Sequence, residues 1–316
     1  MWRFHGRYRV RVGASYSTLT SRVQLPHSNN FSASKVTGFS NLPLHIQDFL
    51  FYRHCRYFPM LLNVPNKRGG PQNSAHVFLL LLIKSSPANY ERREVLRKTW
   101  AAERMQNGKQ IRTVFLSGTS GDDILLWDFT DSFYNLTLKQ VLFMEWLERW
   151  CPNAHFLLNR DDDIFTNTDN MVEYLKGQGD RDGNKHLFVG SLAFYLDRYP
   201  PYCGGCGFLL SRFTARTIHN MSQSITLMPI DDVYIDMCLE KAGLKPESHI
   251  GVRTTALYIP SQKVDSFDPC YYREILLVHR FVKCTRSKMA CPQPLRGYLS
   301  CVKITPIKTP IQLLIK

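Results

Sequence analysis

The sequence predicts an α/β layered fold, with a mainly parallel central sheet and helices on both faces. Three observations predict it. Short, almost wholly apolar runs recur through the middle of the chain, the texture of strands buried on both faces. Segments with apolar residues at helical spacing stand between them. The two kinds alternate, as crossover connections between parallel strands require.

Each element follows in order. "HVFLLLLIK" is the first strand. "SSPANYERREVLRKTW" is a helix, with Ser85 or Ser86 as cap and Pro87 in its first turn. "IRTVFLSG" and "DILLWDF" are the second and third strands. "LTLKQVLFMEWLERW" places Leu138, Val141, Leu142 and Trp146 on one face of a helix. "HFLLN" is a fourth strand that runs into three aspartates, and "TDNMVEYLK" is the next helix. "HLFVGS" and "GFLLS" are further strands. "PIDDVYIDMCLEKAG" is a helix closed by Gly243, and "ILLVHRF" is a late strand. Residues 1–75 lack sustained periodicity and read as a basic, poorly ordered stem or linker ending in "NKRGGPQNS". Residues 76–281 form the layered domain, and 282–316 form a divergent basic tail.

The 316 residues allow a large core, and 44% hydrophobic with 21% charged residues is ordinary for a globular protein. Lys plus Arg total 40 against 26 Asp plus Glu, a net charge of +14 that favours anionic partners. The excess lies in the flanks, and no stripe of basic and aromatic residues crosses the core, so nucleic acid is not the expected partner. Nine cysteines are scattered. Cys203 and Cys206 form a single Cys-x-x-Cys without a second pair at zinc spacing, so disulfides or buried thiols are the better reading. Sequons at Asn30, Asn135 and Asn220 lean toward a secretory lumen. The longest apolar stretch, residues 77–83, is far short of the about 20 residues that span a bilayer.

Asp161, Asp162 and Asp163 crowd the end of a buried strand, where like charges repel and need compensation. A divalent cation, hydrogen-bond donors or plain solvation would supply it. In an extended segment Asp161 and Asp163 point one way and Asp162 the other. One or two carboxylates with phosphate oxygens is a usual setting for Mg²⁺ or Mn²⁺. Asp231 and Asp232 open a helix, where either capping or general-base chemistry would use them. "YPPYCGGCGFLLS" lets backbone approach a ligand closely, or else makes a tight turn. Arg93 and Arg97 share a helix face and meet either a nucleotide or solvent. His279 within "LLVHRF" is a core histidine or a metal ligand.

The ordered set "RREVLRKTW", "FTDSFYNLTLKQVLFMEW", "NRDDDIF", "HLFVGS", "RYPPYCGGCGFLLSR", "PIDDVYIDMCLEKAGLKP" and "SFDPCYYREILLVHR" resembles the β-1,3-N-acetylglucosaminyltransferases of glycosyltransferase family 31, over roughly residues 58–281. The resemblance implies a GT-A-like, Rossmann-type fold and an inverting transfer from UDP-N-acetylglucosamine. It further implies a galactose-terminated glycan acceptor, Mn²⁺ or Mg²⁺, and a Golgi membrane setting, while a homo-oligomer is left open. It assigns Asp161, Asp163 and His279 to the metal, Asp232 to the base, and Arg93, Arg97, Asp161, Asp162, Gly204, Gly205 and Asp231 to substrate. Two family segments, after "FLSGTS" and after "FVGSLAF", are missing from this chain. The alternatives are therefore a β-1,3-galactosyltransferase or a catalytically weakened relative.

Overall fold

The computed structural model describes residues 37–53, 55–64, 70–116, 122–129, 131–194, 199–205, 207–254 and 275–279, and the backbone of 282–283 and 302–303. Its strands are β1 (Met60–Leu62), β2 (Val77–Lys84), β3 (Arg104–Gln106), β4 (Lys109–Leu116), β5 (Ile124–Trp127), β6 (Phe156–Asp161), β7 (Ile164–Thr166), β8 (Phe188–Gly190), β9 (Leu192–Ala193), β10 (Tyr202–Cys203), β11 (Phe208–Ser211), β12 (Glu247–Ser248), β13 (Val252–Arg253) and β14 (Leu277–His279). Its helices are α1 (Leu44–Tyr52), α2 (Gly70–Asn73), α3 (Tyr90–Arg97), α4 (Leu136–Trp150), α5 (Thr168–Lys176), α6 (Arg212–Ser222) and α7 (Asp231–Lys241).

The central sheet runs β1-β5-β4-β2-β6-β11-β8-β12, with β3 beside β4. Its middle four strands, β5, β4, β2 and β6, are parallel, as the continuous apolar runs require. Antiparallel β11 and β1 extend the sheet on either side. Alternate residues of β2 feed two cores. Leu80 and Leu82 pack with α4, α6 and α7, whereas Leu79, Leu81 and Ile83 pack with α3 and α5. Helices therefore cover both faces, as expected.

Helices α4 and α5 fall on the expected residues, and Gly243, at φ 70, closes α7 by donating to the Glu240 carbonyl. Other elements differ from expectation. The helix after β2 starts at Tyr90 with Asn89 as its cap residue, so Ser85, Ser86 and Pro87 form a connecting loop instead of its first turn. Asn107 and Gly108, both at positive φ, make the tight turn of a β3–β4 hairpin that the sequence reading passed over. Helix α6 was also passed over. Ser211 caps it by accepting from the Thr214 N–H. The sheet begins before residue 76, because β1 pairs with β5. Residues 1–36 lie outside the described residues, and so does most of the 282–316 tail.

Among the described residues Cys55 and Cys238 are free thiols. The Asn135 sequon is buried, Asn220 is exposed, and Asn30 lies outside the described residues.

Candidate active site

Strands β2 and β6 are neighbours that the chain reaches from opposite directions. β2 leads through α3 to β4 on one side, and the chain returns through α4 to β6 on the other. Such a switch in strand order opens a crevice at the carboxyl ends of the two strands. Lys84 and Asp161 end these strands as register partners.

Lys84 is the centre of the charge arrangement. Its Nζ donates to Asp231 Oδ2 at 2.5 Å and lies 3.3 Å from Asp161 Oδ1. Burial alone would lower its pKa, but the carboxylates of Asp161, Asp231 and Asp232 outweigh burial and raise it. The ammonium is thus fixed as a cation. The sequence reading did not single out Lys84. A charged residue closing an apolar strand was the available signal.

The three aspartates separate as alternation along the strand dictates. Asp162 turns toward α3 and is saturated by donors: Ser85 Oγ at 2.7 Å, Asn89 Nδ2 at 2.8 Å and Arg92 Nη1 at 2.7 Å. Asp161 meets Lys84. Asp163 lies 3.5 Å from His279 Nε2, because the antiparallel pairing of β7 with β14 sets His279 opposite Ile164. Burial would raise the Asp163 carboxyl, but His279 and Arg92 hold it below its ordinary value.

The three expected metal ligands are not gathered into one set. Asp163 and His279 are adjacent, while Lys84 holds Asp161. Among the described residues no three His, Cys, Asp or Glu side chains form a group able to hold a metal ion. The Asp163–His279 pair does suit a divalent cation. Asp163 Oδ1 is buried without a hydrogen-bond partner among the described residues, and carboxylate oxygen with imidazole nitrogen is a donor set that Mn²⁺ accepts.

The arginines correct an expectation. Arg93 is fully buried, and its guanidinium donates to Ser85 Oγ and to the carbonyls of Ser86 and Pro87. It shapes the β2–α3 loop. Arg97 grips Asp123 with two bonds, at 2.9 and 2.7 Å, and also pairs with Glu94. In this structure both guanidiniums are engaged inside the protein, Arg93 by neutral acceptors of the loop and Arg97 by two carboxylates. Arg92 is the most exposed guanidinium of this helix, 41% against 22% for Arg97.

Asp231 and Asp232 occupy the first turn of α7, and neither is the cap residue, which is Ile230. Asp231 is buried against Lys84. Asp232 keeps an edge toward solvent and accepts the Gly205 N–H at 3.0 Å. Enclosure, then the charge of Asp231, pushes its carboxyl up to about 7. A carboxyl of that pKa is suited to take a proton near neutrality. Gly204 donates to the Ser191 carbonyl, so the glycine turn is held from both sides.

The model of the family described as Galactosyltransferase matches residues 91–195 and 177–249. The human N-acetyllactosaminide β-1,3-N-acetylglucosaminyltransferase 3 is 50% identical over 302 residues, covering 83% of this chain and 79% of the relative. The chain belongs to the galactosyltransferase family. The mouse acetylgalactosaminyl-O-glycosyl-glycoprotein β-1,3-N-acetylglucosaminyltransferase is 44% identical, covering 80% of this chain and 73% of that protein. The rat UDP-GlcNAc:βGal β-1,3-N-acetylglucosaminyltransferase 7 is 38% identical, covering 81% and 72%. Among solved structures, the galactosyltransferase LgtC with donor and acceptor sugar analogues aligns over 64% of this chain and 86% of its own, at 13% identity and a TM-score of 0.38. At that score the structural likeness carries no argument. The family assignment rests on sequence, and it makes the chain a glycosyltransferase.

Proposed function

We propose that the chain transfers N-acetylglucosamine from UDP-N-acetylglucosamine, in β-1,3 linkage, to a galactose-terminated glycan. The observation that carries this reading is Asp232. It is a partly exposed carboxyl, raised to about 7, at the rim of the switch-point crevice of a glycosyltransferase-family chain. The names of the relatives support the choice of sugar and linkage.

In the proposed step Asp232 accepts the proton of the acceptor 3-hydroxyl. The oxygen forms a bond to the donor's anomeric carbon as the bond from that carbon to the UDP oxygen breaks, and UDP leaves with the electron pair. One displacement converts the α-linked donor into a β-linked product. The Gly205 N–H orients Asp232, and Lys84 donates to Asp231 beside it. Asp163 and His279 would hold Mn²⁺ or Mg²⁺, which supplies positive charge to the departing pyrophosphate. The setting we propose is the Golgi lumen, following the family. Among the described residues no helix is long and apolar enough to cross a membrane.

The test is sugar transfer from UDP-N-acetylglucosamine to a lactose-type acceptor, with UDP-galactose run alongside. Asp232→Asn is expected to lower transfer by the about 10²–10⁴-fold typical of general-base loss. UDP affinity with Mn²⁺ present should stay unchanged. Equal transfer by the mutant would remove Asp232 from the role, and preference for UDP-galactose would replace the donor.

A further inference from the structure

Asp236 stands one turn after Asp232 on α7. It is 1% exposed. Its Oδ2 accepts the Cys203 N–H at 3.0 Å, while its Oδ1 is buried without a hydrogen-bond partner among the described residues. An acid in this place is costly, since a buried carboxylate demands compensation that a single amide does not give. The surroundings confirm the imbalance. Among the described residues, the titratable groups that face it are the Asp232 carboxyl and the Cys238 thiol, and neither carries positive charge. Burial above all pushes the Asp236 carboxyl up to about 8. The side chain is therefore un-ionised at neutral pH.

What the residue does is visible in its geometry. Cys203, Gly204 and Gly205 offer three consecutive amides. The first goes to Asp236, the second to the Ser191 carbonyl and the third to Asp232. Two acids one helical turn apart therefore grip alternate amides of a single turn. Glycine backbone has wide conformational freedom, and this turn contains two adjacent glycines. The strand before it, β10, pairs two residues with β9.

We propose that Asp236 is a positioning residue that clamps the Cys203–Gly205 turn to α7 and so keeps the Gly205 N–H on Asp232. The clamp works as an acceptor in the un-ionised state. Asparagine, which presents the same oxygen without charge, should replace it. The proposal deepens the assignment of Asp232 as base and rests on it for its effect on transfer, but the clamp itself is measurable without transfer.

The experiment compares Asp236→Ala and Asp236→Asn with the parent chain by amide hydrogen exchange of the segment 199–205. Segment 77–84 in β2 serves as the internal control for folding. Asp236→Ala should speed exchange of the turn by about tenfold or more with β2 unchanged, since local opening is governed by the contacts of the local unit. Asp236→Asn should stay within about threefold of the parent by the same measure. The transfer rate constant should follow, falling by about tenfold or more in Asp236→Ala, at constant UDP affinity, and recovering in Asp236→Asn. If Asp236→Ala does not fold, Asp236→Ser, too short to reach the Cys203 amide, carries the same comparison. Unchanged turn exchange in the truncated variant overturns the clamp, and so does an Asp236→Asn that exchanges as fast as Asp236→Ala. A parent chain without transfer would instead overturn the base assignment, while the exchange data still decide the clamp.

Discussion

Lys84 and Arg160 are buried cations at the ends of neighbouring strands, and they face the same acidic run in opposite circumstances. Lys84 points into the crevice, between Asp161 and Asp231, and its charge is reinforced. Arg160 points to the other face of the sheet. It lies over the Trp100 ring, 3.4 Å from its centroid, and none of its three guanidinium nitrogens has a hydrogen-bond partner among the described residues. Burial pushes its pKa well down despite the nearby charges of Asp163, Asp161 and Asp162. Proximity to negative charge is therefore not enough. A buried cation needs acceptors within reach and in line, and strand alternation gives them to one residue and withholds them from the other.

Removing either cation tests that contrast. Lys84→Met should destabilise the chain most, by about 3–5 kcal/mol, because Asp161 and Asp231 would lose their shared partner in a confined site. Urea denaturation measures it, and a loss below about 1 kcal/mol would mean that water already compensates these carboxylates. Arg160→Met should act in the opposite sense and stabilise by about 1–4 kcal/mol, since a buried charge without a hydrogen-bond partner among the described residues is exchanged for an apolar chain of similar length. A destabilised Arg160→Met would show instead that stacking on Trp100 and attraction to the aspartates outweigh desolvation.

Asp236 extends the contrast to an acid, with the smallest effect per unit of pH. Its folded pKa, about 8, lies above the unfolded carboxyl value. Between those values the folded state binds the extra proton, so this group makes stability fall as pH rises, by up to about 1.4 kcal/mol per pH unit. Asp236→Asn should remove that slope between pH 4 and about 8. Parallel stability profiles for the two chains would show that Asp236 is solvated in the folded state.

Much of this architecture was legible in the sequence. The apolar runs gave the parallel centre of the sheet, and helical spacing gave α4 and α5 at their observed limits. Helix α6 was harder. It buries few large apolar residues, and its start is marked by the short-range bond from Thr214 to Ser211 instead. The β3–β4 hairpin carries its own local signal in Asn107-Gly108, a strong turn pair, though its first strand has only three residues and no apolar run.

The site was legible in its residue types and less so in its pairings. Asp161, Asp162, Asp163, Asp231, Asp232 and His279 all reach the ends of β2 and β6 or their vicinity. Their partners depend on which strands become neighbours, and no local pattern encodes that. Arg93 and Arg97 share a helix in the sequence, yet their roles follow from Ser85 and Asp123, which other elements deliver.

The register of Lys84 with Asp161 also has a bearing on the order of folding events. The bond from Lys84 to Asp231 closes a separation of 147 residues, and that from Ser85 to Asp162 closes one of 77. Contacts of such range form slowly, because the chain entropy of closure must be met before they contribute. None of the local hairpins or helices contains a working fragment of the site. The charged crevice therefore comes into being only with the final pairing of β2 and β6 and the docking of α7. A nucleotide-sugar ligand could then recognise only the completed molecule, and would act as a late trap for the folded state and not as a guide to it.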